Sequence, residues 1–470
     1  MNPSVRVARI IGGILSVLLL LGSGYGWMAD RTLQSKITRV DGLAPGGTDA
    51  DGKAQNVLLV GDDHRPPGAS AQVLAELNTQ DDGGSINTDT MMVLHIPTDG
   101  SKPTVISLPR DSWVDIPGHG KGKLNSAFAI GVNEEGGDAA GMKLLVQTVQ
   151  QLTGLTLDHF VRVSLLGFYQ VAQALGPIQV CLKQPAKDPL SGIDLPAGVS
   201  QLNASQALAF VRQRHGLPRG DLDREVRQQY FLSAALRTAI SRGVLTNPGR
   251  ISSLLNAAGS ALQTDPGLDL LRLATLFPHL SASDVRFTTI PITGTPTITD
   301  DDGNQVSVVA VDTVAMPAFI ASVIGQPSAY TGASAASPKG VKVTVVNGTG
   351  TPGLARTDAG KLDDLGFSTT VQPGSVTTSL TTIVYPAGQE AAAKAVAAVV
   401  PGALVARSDS VGQVTLTLGA DGKRVTAPAS GGSGGTSGDT ASPPQPGSPG
   451  PSAPAAAGDT QSFSGSSCIN

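Results

Sequence analysis

Cysteine is almost absent from this 470-residue sequence, which contains only Cys181 and Cys468. Cys468 lies in a tail of Gly, Ser and Pro that offers no fixed geometry for a bridge, so we expect no structural disulfide. A surplus of positive charge is also missing, because 37 Asp and Glu outnumber 33 Lys and Arg. Nucleic-acid-binding domains usually carry a basic excess, so the composition argues against a nucleic-acid partner. Any anion site must therefore be local.

The motifs of several enzyme classes are missing as well. The sequence has no P-loop, no zinc-ligand spacing and no Gly-x-Ser-x-Gly segment, and its six histidines show no i, i+4 pair. A Gly-x-Gly-x-x-Gly segment does occur at Gly348–Gly353, but Pro352 removes a backbone donor there and no acidic residue follows the next strand. These absences remove support for P-loop, zinc and dinucleotide-binding enzymes.

One long apolar stretch is present. The twenty residues from Ile10 to Ala29 carry no charge and are bounded by Arg9 and Asp30. That length matches one bilayer span. A cleaved signal peptide is the alternative, but the stretch ends without a clear small-x-small cleavage site. Basic residues flank it on both sides, so their distribution does not decide its orientation. We expect an uncleaved, single-pass membrane anchor.

Composition shifts divide the rest of the chain. Apolar runs at Asn56–Val60, Thr90–Ile96 and Thr104–Leu108 have the length and flanks of buried strands, and 139–152 has helical spacing. This alternation predicts a sheet covered by helices on both faces. The predicted organisation is a cytoplasmic N-terminus at 1–9, a transmembrane anchor at 10–29, a stalk at 30–54, a large α/β domain at 55–325, a linker at 326–340, a small α/β domain at 341–420 and a disordered Gly/Ser/Pro/Ala tail at 421–470.

Charged residues stand at the ends of three predicted strands. Asp62 and Asp63 follow the first strand, Asp89 immediately precedes the second, and Arg110 follows the third. Side chains at the edge of a buried sheet are held rigidly where ligands commonly sit in α/β folds. The alternative is that the aspartates cap turns and that Arg110 is a surface charge.

A second group of charges lies between residues 203 and 235. Asn203 and Gln206 have the spacing of a capping box, so a helix is expected to begin there, and another is expected near Asp221 or Asp223. On the second helix Arg224, Arg227 and Gln228 are expected to share one face, at i, i+3 and i+4. That face continues into Phe231 and Ala235, which favours a site with a charged mouth and an apolar interior. The alternative is a set of surface salt bridges, Asp221 with Arg224 and Asp223 with Arg227. The basic and amide residues of the group are Arg212, Arg214, Arg224, Arg227 and Gln228.

The residue types in these two groups point to a phosphate ligand. Arginine stays charged at any workable pH and offers a planar fork of donors, so several converging arginines suit phosphate better than lysines would. Carboxylates beside such a cluster are best explained by Mg²⁺, which is commonly held by one or two carboxylates together with phosphate oxygens. The implied ligand is a pyrophosphate.

Taken in order, these motifs resemble the LytR-CpsA-Psr family. The resemblance covers about residues 55–320, and residues 341–420 are similar to the LytR C-terminal domain through Val345–Gly350 and Leu365–Phe367. One departure is Asp62, which stands where the family usually has Ser and could compete with Asp63 as a metal ligand. The motifs are Gly61-Asp62-Asp63-His64-Arg65, Thr88-Asp89-Thr90, Pro109-Arg110-Asp111, Arg212-x-Arg214 and Asp221-x-x-Arg224-x-x-Arg227-Gln228.

The resemblance implies a fold and a set of site residues. The expected fold is a three-layer α/β/α sandwich with a central mixed sheet, a long apolar pocket for a polyprenyl tail and a small C-terminal α/β domain. Asp63 and Asp89 would bind Mg²⁺, and Asp89, Arg110 and Arg227 would be catalytic. The residues implied to surround the pyrophosphate are Arg65, Arg110, Arg212, Arg214, Arg224, Arg227 and Gln228.

The resemblance also implies a function and a location. We expect a Mg²⁺-dependent phosphotransferase of the cell membrane, with its domains on the extracytoplasmic side, that moves a glycopolymer from a polyprenyl-pyrophosphate carrier to peptidoglycan. Asp89 and Asp111 are the candidates for accepting the proton of the attacking hydroxyl. Two alternatives remain open: a lipid-pyrophosphate hydrolase that uses the same residues, and a non-catalytic anchored scaffold that binds polysaccharide.

Overall fold

The structure is a computed structural model. It describes residues 37–43, 54–63, 70–77, 79, 86–98, 101–244, 247, 249–250, 254, 262–269, 273, 284–300, 303–374, 376–426, 461–463 and 467–470. The predicted anchor at Ile10–Ala29 lies outside these ranges. Within them, no helix combines the length and the apolar character needed to cross a membrane.

The chain divides into two compact units. The first comprises Met1–Gln151, Leu155–Phe287 and Gln461–Asn470, and the second comprises Leu152–Gly154 and Thr288–Thr460.

The centre of the first unit is a seven-stranded mixed sheet with the strand order β1-β12-β7-β2-β3-β4-β13. In this sheet β2 runs parallel to β7 and antiparallel to β3. The remaining strands pair as hairpins or short ribbons, β5 with β6, β8 with β11 and β9 with β10. The strands are β1 Thr38–Arg39, β2 Gln55–Asp62, β3 Thr88–Ile96, β4 Thr104–Ser107, β5 Trp113–Ile116, β6 Gly120–Lys123, β7 His159–Val163, β8 Ile178–Leu182, β9 Ala186–Asp188, β10 Ile193–Leu195, β11 Gly198–Leu202, β12 Leu262–Thr264 and β13 Arg286–Thr289.

Helices cover both faces of this sheet. They are α1 Ala71–Glu76, α2 Ser126–Gly131, α3 Gly137–Thr153, α4 Leu165–Leu175, α5 Ala204–Arg212 and α6 Asp221–Ser241, and a π-helical turn at Val132–Gly136 joins α2 to α3. Helices α4, α5 and α6 share one core with Leu59 and Met92. Leu58 points to the opposite face, because strand side chains alternate, and it is fully buried too. On that face the Arg162 guanidinium lies over the Phe128 ring of α2. The predicted three-layer arrangement with a mixed sheet is confirmed.

The two helices that carry the arginines begin as their sequences indicate. At the start of α5 the Asn203 side chain accepts the Gln206 backbone N–H at 2.9 Å, and the Gln206 side chain accepts the Asn203 N–H at 3.0 Å. This confirms the predicted capping box. Helix α6 begins at Asp221, directly after Gly220, whose φ of 54° is a conformation that glycine adopts without strain. Arg212 therefore ends one helix and Arg224 lies in the first turn of the next.

The second unit contains the predicted small α/β domain. Its five-stranded sheet has the order β19-β18-β22-β20-β21, and α9 and α10 pack on it. The elements are β14 Ile292–Gly294, β15 Thr297–Thr299, β16 Gln305–Ser307, β17 Ala310–Val311, α7 Met316–Ile324, α8 Ser328–Gly332, β18 Lys342–Asn347, α9 Leu354–Asp364, β19 Ser368–Gln372, β20 Thr382–Tyr385, α10 Glu390–Val399, β21 Leu404–Arg407 and β22 Val414–Leu418.

The boundary between the units differs from the predicted linker at 326–340. The Tyr330 ring of α8 stacks on Tyr385 with ring centroids 5.5 Å apart, so the Ser- and Ala-rich segment is packed rather than free. Further upstream, the buried Asp312 carboxylate accepts the Thr378 hydroxyl at 2.8 Å. The division after Phe287 follows from these contacts. Composition alone suggested a linker because the anchoring residues are few.

The end of the chain also differs from prediction. A disulfide joins Cys181 to Cys468, so the expectation of no structural disulfide is wrong. Ile469 pairs with Leu182 as an extra β-bridge, and Phe463 is buried. The predicted disordered tail at 421–470 is therefore wrong for its final residues, whose few apolar side chains are diluted by the Gly and Ser around them. Residues 427–460 lie outside the described part of the chain.

Candidate functional site

A cavity of about 570 Å³ lies between the sheet and helices α4, α5 and α6 of the first unit. Its volume is in the usual range for small-molecule sites. Most of its wall is apolar, and the polar residues come from strand ends and from the facing ends of α5 and α6. The apolar lining includes Leu59, Met92, Val161, Val163, Leu165, Phe168, Val171, Ala172, Leu175, Ile178, Leu208, Val211, Phe231, Leu232 and Ala235.

Six of the predicted site residues line this cavity: Asp63, Asp89, Arg212, Arg214, Arg224 and Gln228. The sheet explains why the two aspartates meet. Because β2 and β3 are antiparallel, the end of one strand lies beside the start of the other, and Asp62 pairs in register with Thr88. Asp63 and Asp89 consequently lie at the same edge of the sheet. The predicted pyrophosphate contact Arg65 lies outside the described residues.

Asp89 and Asp221 hold three arginines together. The Arg110 guanidinium contacts Asp89 Oδ1 at 2.5 Å and Asp221 Oδ2 at 2.6 Å. Arg224 Nη2 reaches Asp221 Oδ2 at 3.1 Å, and Arg214 lies 3.4 Å from each of the two carboxylates. Asp111 Oδ2 also lies 3.6 Å from Arg110 Nε and its carboxylate pairs with Lys123 at 2.9 Å, so four positive charges face three negative ones. The cluster has room, electrostatically, for a further anion.

The pKa shifts in the cluster report this crowding. Burial and the neighbouring Arg110 lower the pKa of Arg224 to about 10, although Asp221 partly offsets them. For Asp221, burial would raise the pKa, but Arg224, Arg110 and Arg214 outweigh it and hold the pKa below its usual value. Burial likewise opposes the charge on Arg110, and Asp89 and Asp221 overcome that opposition, so its pKa is raised. All three groups are charged at neutral pH.

The remaining polar contacts of the mouth are longer. Arg212 Nη2 lies 3.8 Å from Asp63 Oδ1, and Arg212 Nη1 donates to the Leu77 carbonyl at 3.3 Å. The Gln228 amide donates to the Val211 carbonyl at 3.3 Å, which joins α6 to α5.

Asp62 is engaged away from Asp63. Its carboxylate lies 2.5 Å from Arg162 Nε, and the two side chains are 1% and 6% exposed. Arg162 also contacts Asp138 at 2.9 Å. A carboxylate committed to a buried ion pair of this kind is poorly placed to bind a metal, so the pairing favours Asp63 over Asp62.

Neither Arg110 nor Arg227 is among the residues that line the cavity, contrary to their predicted roles as catalytic pyrophosphate contacts. Arg110 contacts Asp89, which does line it. The Arg227 guanidinium donates to the Gln213 side-chain oxygen and, at 3.0 Å, to the Asn470 backbone oxygen, and it lies over the Phe210 ring. Burial lowers its pKa to about 10. For Arg227 the cause is helical phase. Arg227 and Gln228 lie on either side of Arg224, about 100° apart around the helix, and Gln228 takes the cavity side.

The salt-bridge alternative holds in part. Asp221 does pair with Arg224, but Asp223 pairs with Arg219 at 2.7 Å rather than with Arg227. Asp221 also contacts Arg110, which is remote in sequence. It is therefore part of the site, although the sequence suggested only a local pair.

Two further acidic residues near the site were not predicted. Glu225 is buried on α6, and burial raises its pKa to about 8. Asp188 is buried on the cavity wall, accepts the Leu190 N–H at 3.0 Å and lies 3.5 Å from His215 Nδ1. Neither belongs to a recognisable motif. The DxxR spacing would have identified Asp221, but no local signal identifies these two.

Known proteins match both units. A model described as the LytR_cpsA_psr family matches residues 29–318, and one described as LytR cell envelope-related transcriptional attenuator matches residues 340–421. The cell wall biosynthesis protein LcpA of Corynebacterium glutamicum is 36% identical over 403 residues, which cover 77% of this chain and 76% of that protein. The polyisoprenyl-teichoic acid–peptidoglycan teichoic acid transferase TagU of Oceanobacillus iheyensis is 32% identical, over 60% of this chain and 84% of that protein.

Among solved structures, TagV of B. subtilis is 20% identical and covers 58% of this chain and 97% of its own, with a TM-score of 0.46. The family model spans more than half of the chain, and LcpA exceeds 30% identity over more than two thirds of it. The ordered aspartate and arginine motifs, the family model and the match to LcpA agree: the chain belongs to the LytR-CpsA-Psr family.

Proposed function

We propose that this protein is a Mg²⁺-dependent phosphotransferase that moves a glycopolymer from a polyprenyl-pyrophosphate carrier to peptidoglycan. The observation that carries the proposal is a largely apolar cavity with arginines and carboxylates at its mouth. A ligand suited to both parts has a hydrocarbon chain and a multiply charged anionic head. Polyprenyl pyrophosphates have that composition.

The named relatives support the same assignment. LcpA is named for cell wall biosynthesis, and TagU is named as a transferase of teichoic acid from a polyisoprenyl carrier to peptidoglycan. A cell-wall glycopolymer is therefore the class of cargo that we propose.

The arginines would bind the head group. Arg110, Arg214 and Arg224 already converge, and the positive charges of the cluster outnumber the carboxylates that lie among them. A pyrophosphate would offset this excess of positive charge, and Arg212 and Gln228 line the same wall. Fixed donors aimed at phosphoryl oxygens stabilise the charge that develops during transfer, which is the main contribution of a protein to this chemistry.

Asp63 and Asp89 fit a Mg²⁺ site that the substrate completes. Within the described ranges no three His, Cys, Asp or Glu side chains form a metal-binding group. Two carboxylates at one edge of a cavity are nevertheless the usual protein share of a Mg²⁺ site, whose other ligands are phosphate oxygens and water. When bound, Mg²⁺ would neutralise charge on the phosphoryl oxygens. Asp89 contacts Arg110 and Arg214 and would have to share its oxygens with them.

In the proposed reaction, a peptidoglycan hydroxyl attacks the sugar-proximal phosphorus. A bond forms between that oxygen and phosphorus, the bond to the bridging oxygen breaks, and polyprenyl phosphate leaves with the electron pair. Both candidate proton acceptors are ion-paired, but Asp89 lines the cavity and Asp111 is not part of the lining. The geometry favours Asp89.

We also propose an extracytoplasmic location, with residues 10–29 as the membrane anchor. The disulfide between Cys181 and Cys468 supports it, because disulfides persist in oxidising compartments and are rare in the cytosol.

The test uses the full-length protein in detergent with a polyprenyl-pyrophosphate-linked glycan and Mg²⁺, with and without peptidoglycan. We expect release of polyprenyl phosphate and covalent attachment of the glycan only when peptidoglycan is present. Equal release without peptidoglycan would identify a hydrolase instead. No release under any condition, together with binding of polysaccharide, would identify a scaffold. Arg219→Ala is a suitable control, because Arg219 pairs with Asp223 and does not line the cavity.

A further inference from the structure

The face of α6 that turns away from the cavity is covered by the last residues of the chain, Gln461–Phe463 and Ser467–Asn470, here called the strap. Tyr230 donates its hydroxyl to the Ser467 carbonyl at 2.9 Å, and Arg237 donates to the Phe463 carbonyl at 3.0 Å. Arg227 and Ser233 also donate to the strap. Residues 227, 230, 233 and 237 recur at intervals of three or four and form one face of the helix. Residues 224, 228, 231 and 235 form the cavity face.

The strap is fixed at both of its ends. At one end, Cys468 is bonded to Cys181, and Ile469 donates its N–H to the Cys181 carbonyl at 3.0 Å while its own carbonyl accepts the Lys183 N–H at 2.7 Å. At the other end, Gln461 and Phe287 exchange backbone hydrogen bonds. Between them the Phe463 ring packs edge-on against Tyr230 at 5.4 Å. The strap is therefore anchored against the face of α6 that lies opposite the cavity.

A chain of hydrogen bonds runs from the strap to the arginine site. The Asn470 carbonyl accepts from Arg227, and Arg227 donates to the Gln213 side-chain oxygen. The Gln213 amide in turn donates to the His215 carbonyl at 2.9 Å. Gln213 and His215 flank Arg214, which contacts Asp89 and Asp221. Displacing the strap would remove an acceptor from a buried guanidinium and loosen the segment that carries Arg214.

We propose that the strap positions the arginine site, that Arg227 and Gln213 are positioning residues rather than substrate contacts, and that turnover depends on the Cys181–Cys468 disulfide. The inference rests on the proposed function for its turnover readout. Phosphoryl transfer is sensitive to such positioning, because a displacement of about 1 Å at a reacting group can lower the rate on the order of 10²-fold.

The test compares oxidised full-length protein with protein reduced by dithiothreitol, at a temperature where circular dichroism shows that both forms are folded. Turnover of the lipid-linked donor is measured together with the affinity for inorganic pyrophosphate by calorimetry. We expect reduction to lower kcat on the order of 10-fold or more, with a smaller change in the donor KM, because the apolar wall that holds the tail is untouched. Reoxidation is expected to restore kcat.

Three variants sharpen the comparison. The double variant Cys181→Ser/Cys468→Ser is expected to resemble reduced wild type and to be insensitive to dithiothreitol. Tyr230→Phe removes only the hydroxyl that accepts the Cys181 N–H and donates to Ser467, so it is expected to give a partial loss without unfolding. Arg227→Ala is expected to lower kcat, with little additional effect of reduction, since both changes break the same chain of contacts.

The outcomes separate the two proposals. If oxidised wild type does not turn over the donor, the proposed function fails, while a weaker affinity for pyrophosphate after reduction still supports the strap. If oxidised and reduced protein have the same kcat and the same pyrophosphate affinity while both are folded, the strap has no positioning role and the inference is overturned.

Discussion

Arg224 and Arg227 lie one turn apart on α6, and each is 3% exposed. The pKa of each is lowered to about 10, chiefly by burial. Their partners differ. Arg224 is held by the Asp221 carboxylate, is repelled by Arg110 and lines the cavity, whereas Arg227 does not line it and donates to the Gln213 side-chain oxygen and the Asn470 backbone oxygen. A cation at the cavity can exchange a partner for an incoming anion, whereas a cation whose acceptors lie outside the cavity holds the fold. Residue type and burial do not distinguish the two roles, but the partners do.

The largest expected effect on turnover concerns the aspartates. They show the same contrast between residues that serve the cavity and a residue that holds the fold. Asp63→Ala and Asp89→Ala are each expected to abolish Mg²⁺-dependent turnover, because both line the cavity and would supply the protein ligands of the metal. Folding should persist, since the Asp63 and Asp89 side chains are 28% and 25% exposed. The measurement is turnover against Mg²⁺ concentration, alongside thermal unfolding.

The matched control is Asp62→Ala, one residue away. Asp62 forms a buried pair with Arg162, and breaking such a pair typically costs about 3 to 5 kcal/mol of stability. A large fall in melting temperature without a change in the Mg²⁺ dependence is expected. If Asp63→Ala kept wild-type turnover at saturating Mg²⁺, its assignment as a metal ligand would fail.

Strand and helix positions near this site were largely predictable. The expected strands at 90–96 and 104–108 correspond to β3 and β4, and the expected helix at 139–152 corresponds to α3, with ends shifted by one or two residues. Local periodicity suffices there, because each element buries a continuous apolar face. The capping box of α5 is equally local, since both of its hydrogen bonds join residues three apart.

What sequence could not supply is non-local. Cys181 and Cys468 are 287 residues apart, and nothing in the Gly- and Ser-rich segment around Cys468 specifies its partner. The role of Arg227 was missed for the same reason, because its acceptor Asn470 belongs to that segment. The pair between Asp221 and Arg224 was predictable, because the two residues are three apart. The pair between Asp221 and Arg110 was not, because they are 111 residues apart. The sequence thus predicts which charged residues belong to the site, but it does not predict which of them pair with one another.

The arginine comparison itself gives the next largest effect. Arg224→Ala is expected to lower turnover on the order of 10²- to 10³-fold, since it removes one fixed donor from the phosphoryl site. Its stability should change little, because loss of one like charge beside Arg110 compensates for the lost pair with Asp221. Arg227→Ala is expected to affect stability more than turnover. It should lose about 1 to 3 kcal/mol of stability, because buried groups are left unsatisfied, and lose less turnover than Arg224→Ala. Turnover and thermal unfolding are measured for both variants side by side. If both variants lose the same turnover and the same stability, the two arginines do not have different roles.

Lys substitutions at the two positions test the distinction more finely. Lys keeps the charge but loses the planar fork, so Arg224→Lys is expected to recover part of the turnover. Arg227→Lys should recover less stability, because one ammonium cannot span Gln213 and Asn470 in the same geometry.

The smallest effect concerns Glu225, which lies between these arginines on α6. Burial raises its pKa to about 8, and Arg224 only partly opposes the rise, so the carboxyl is mostly neutral in the folded protein at pH 7. In the unfolded chain the same carboxyl is ionised above about pH 4.3. The folded state therefore binds an extra proton, and the free energy of unfolding falls as pH rises from about 4.5 to 8.

Glu225→Gln removes this titration while keeping the shape of the side chain. At pH 7 the variant is expected to be more stable than wild type by roughly 1 to 3 kcal/mol, and near pH 3 the difference should be close to zero, because the wild-type carboxyl is then largely protonated in both states. Denaturant unfolding at several pH values measures both numbers. Turnover at pH 7 should be unchanged, since Glu225 does not line the cavity. A variant that is less stable than wild type at pH 7, by an amount that shrinks as the pH falls toward about 3, would show instead that Glu225 is ionised in the folded protein and supports the arginine cluster by its charge.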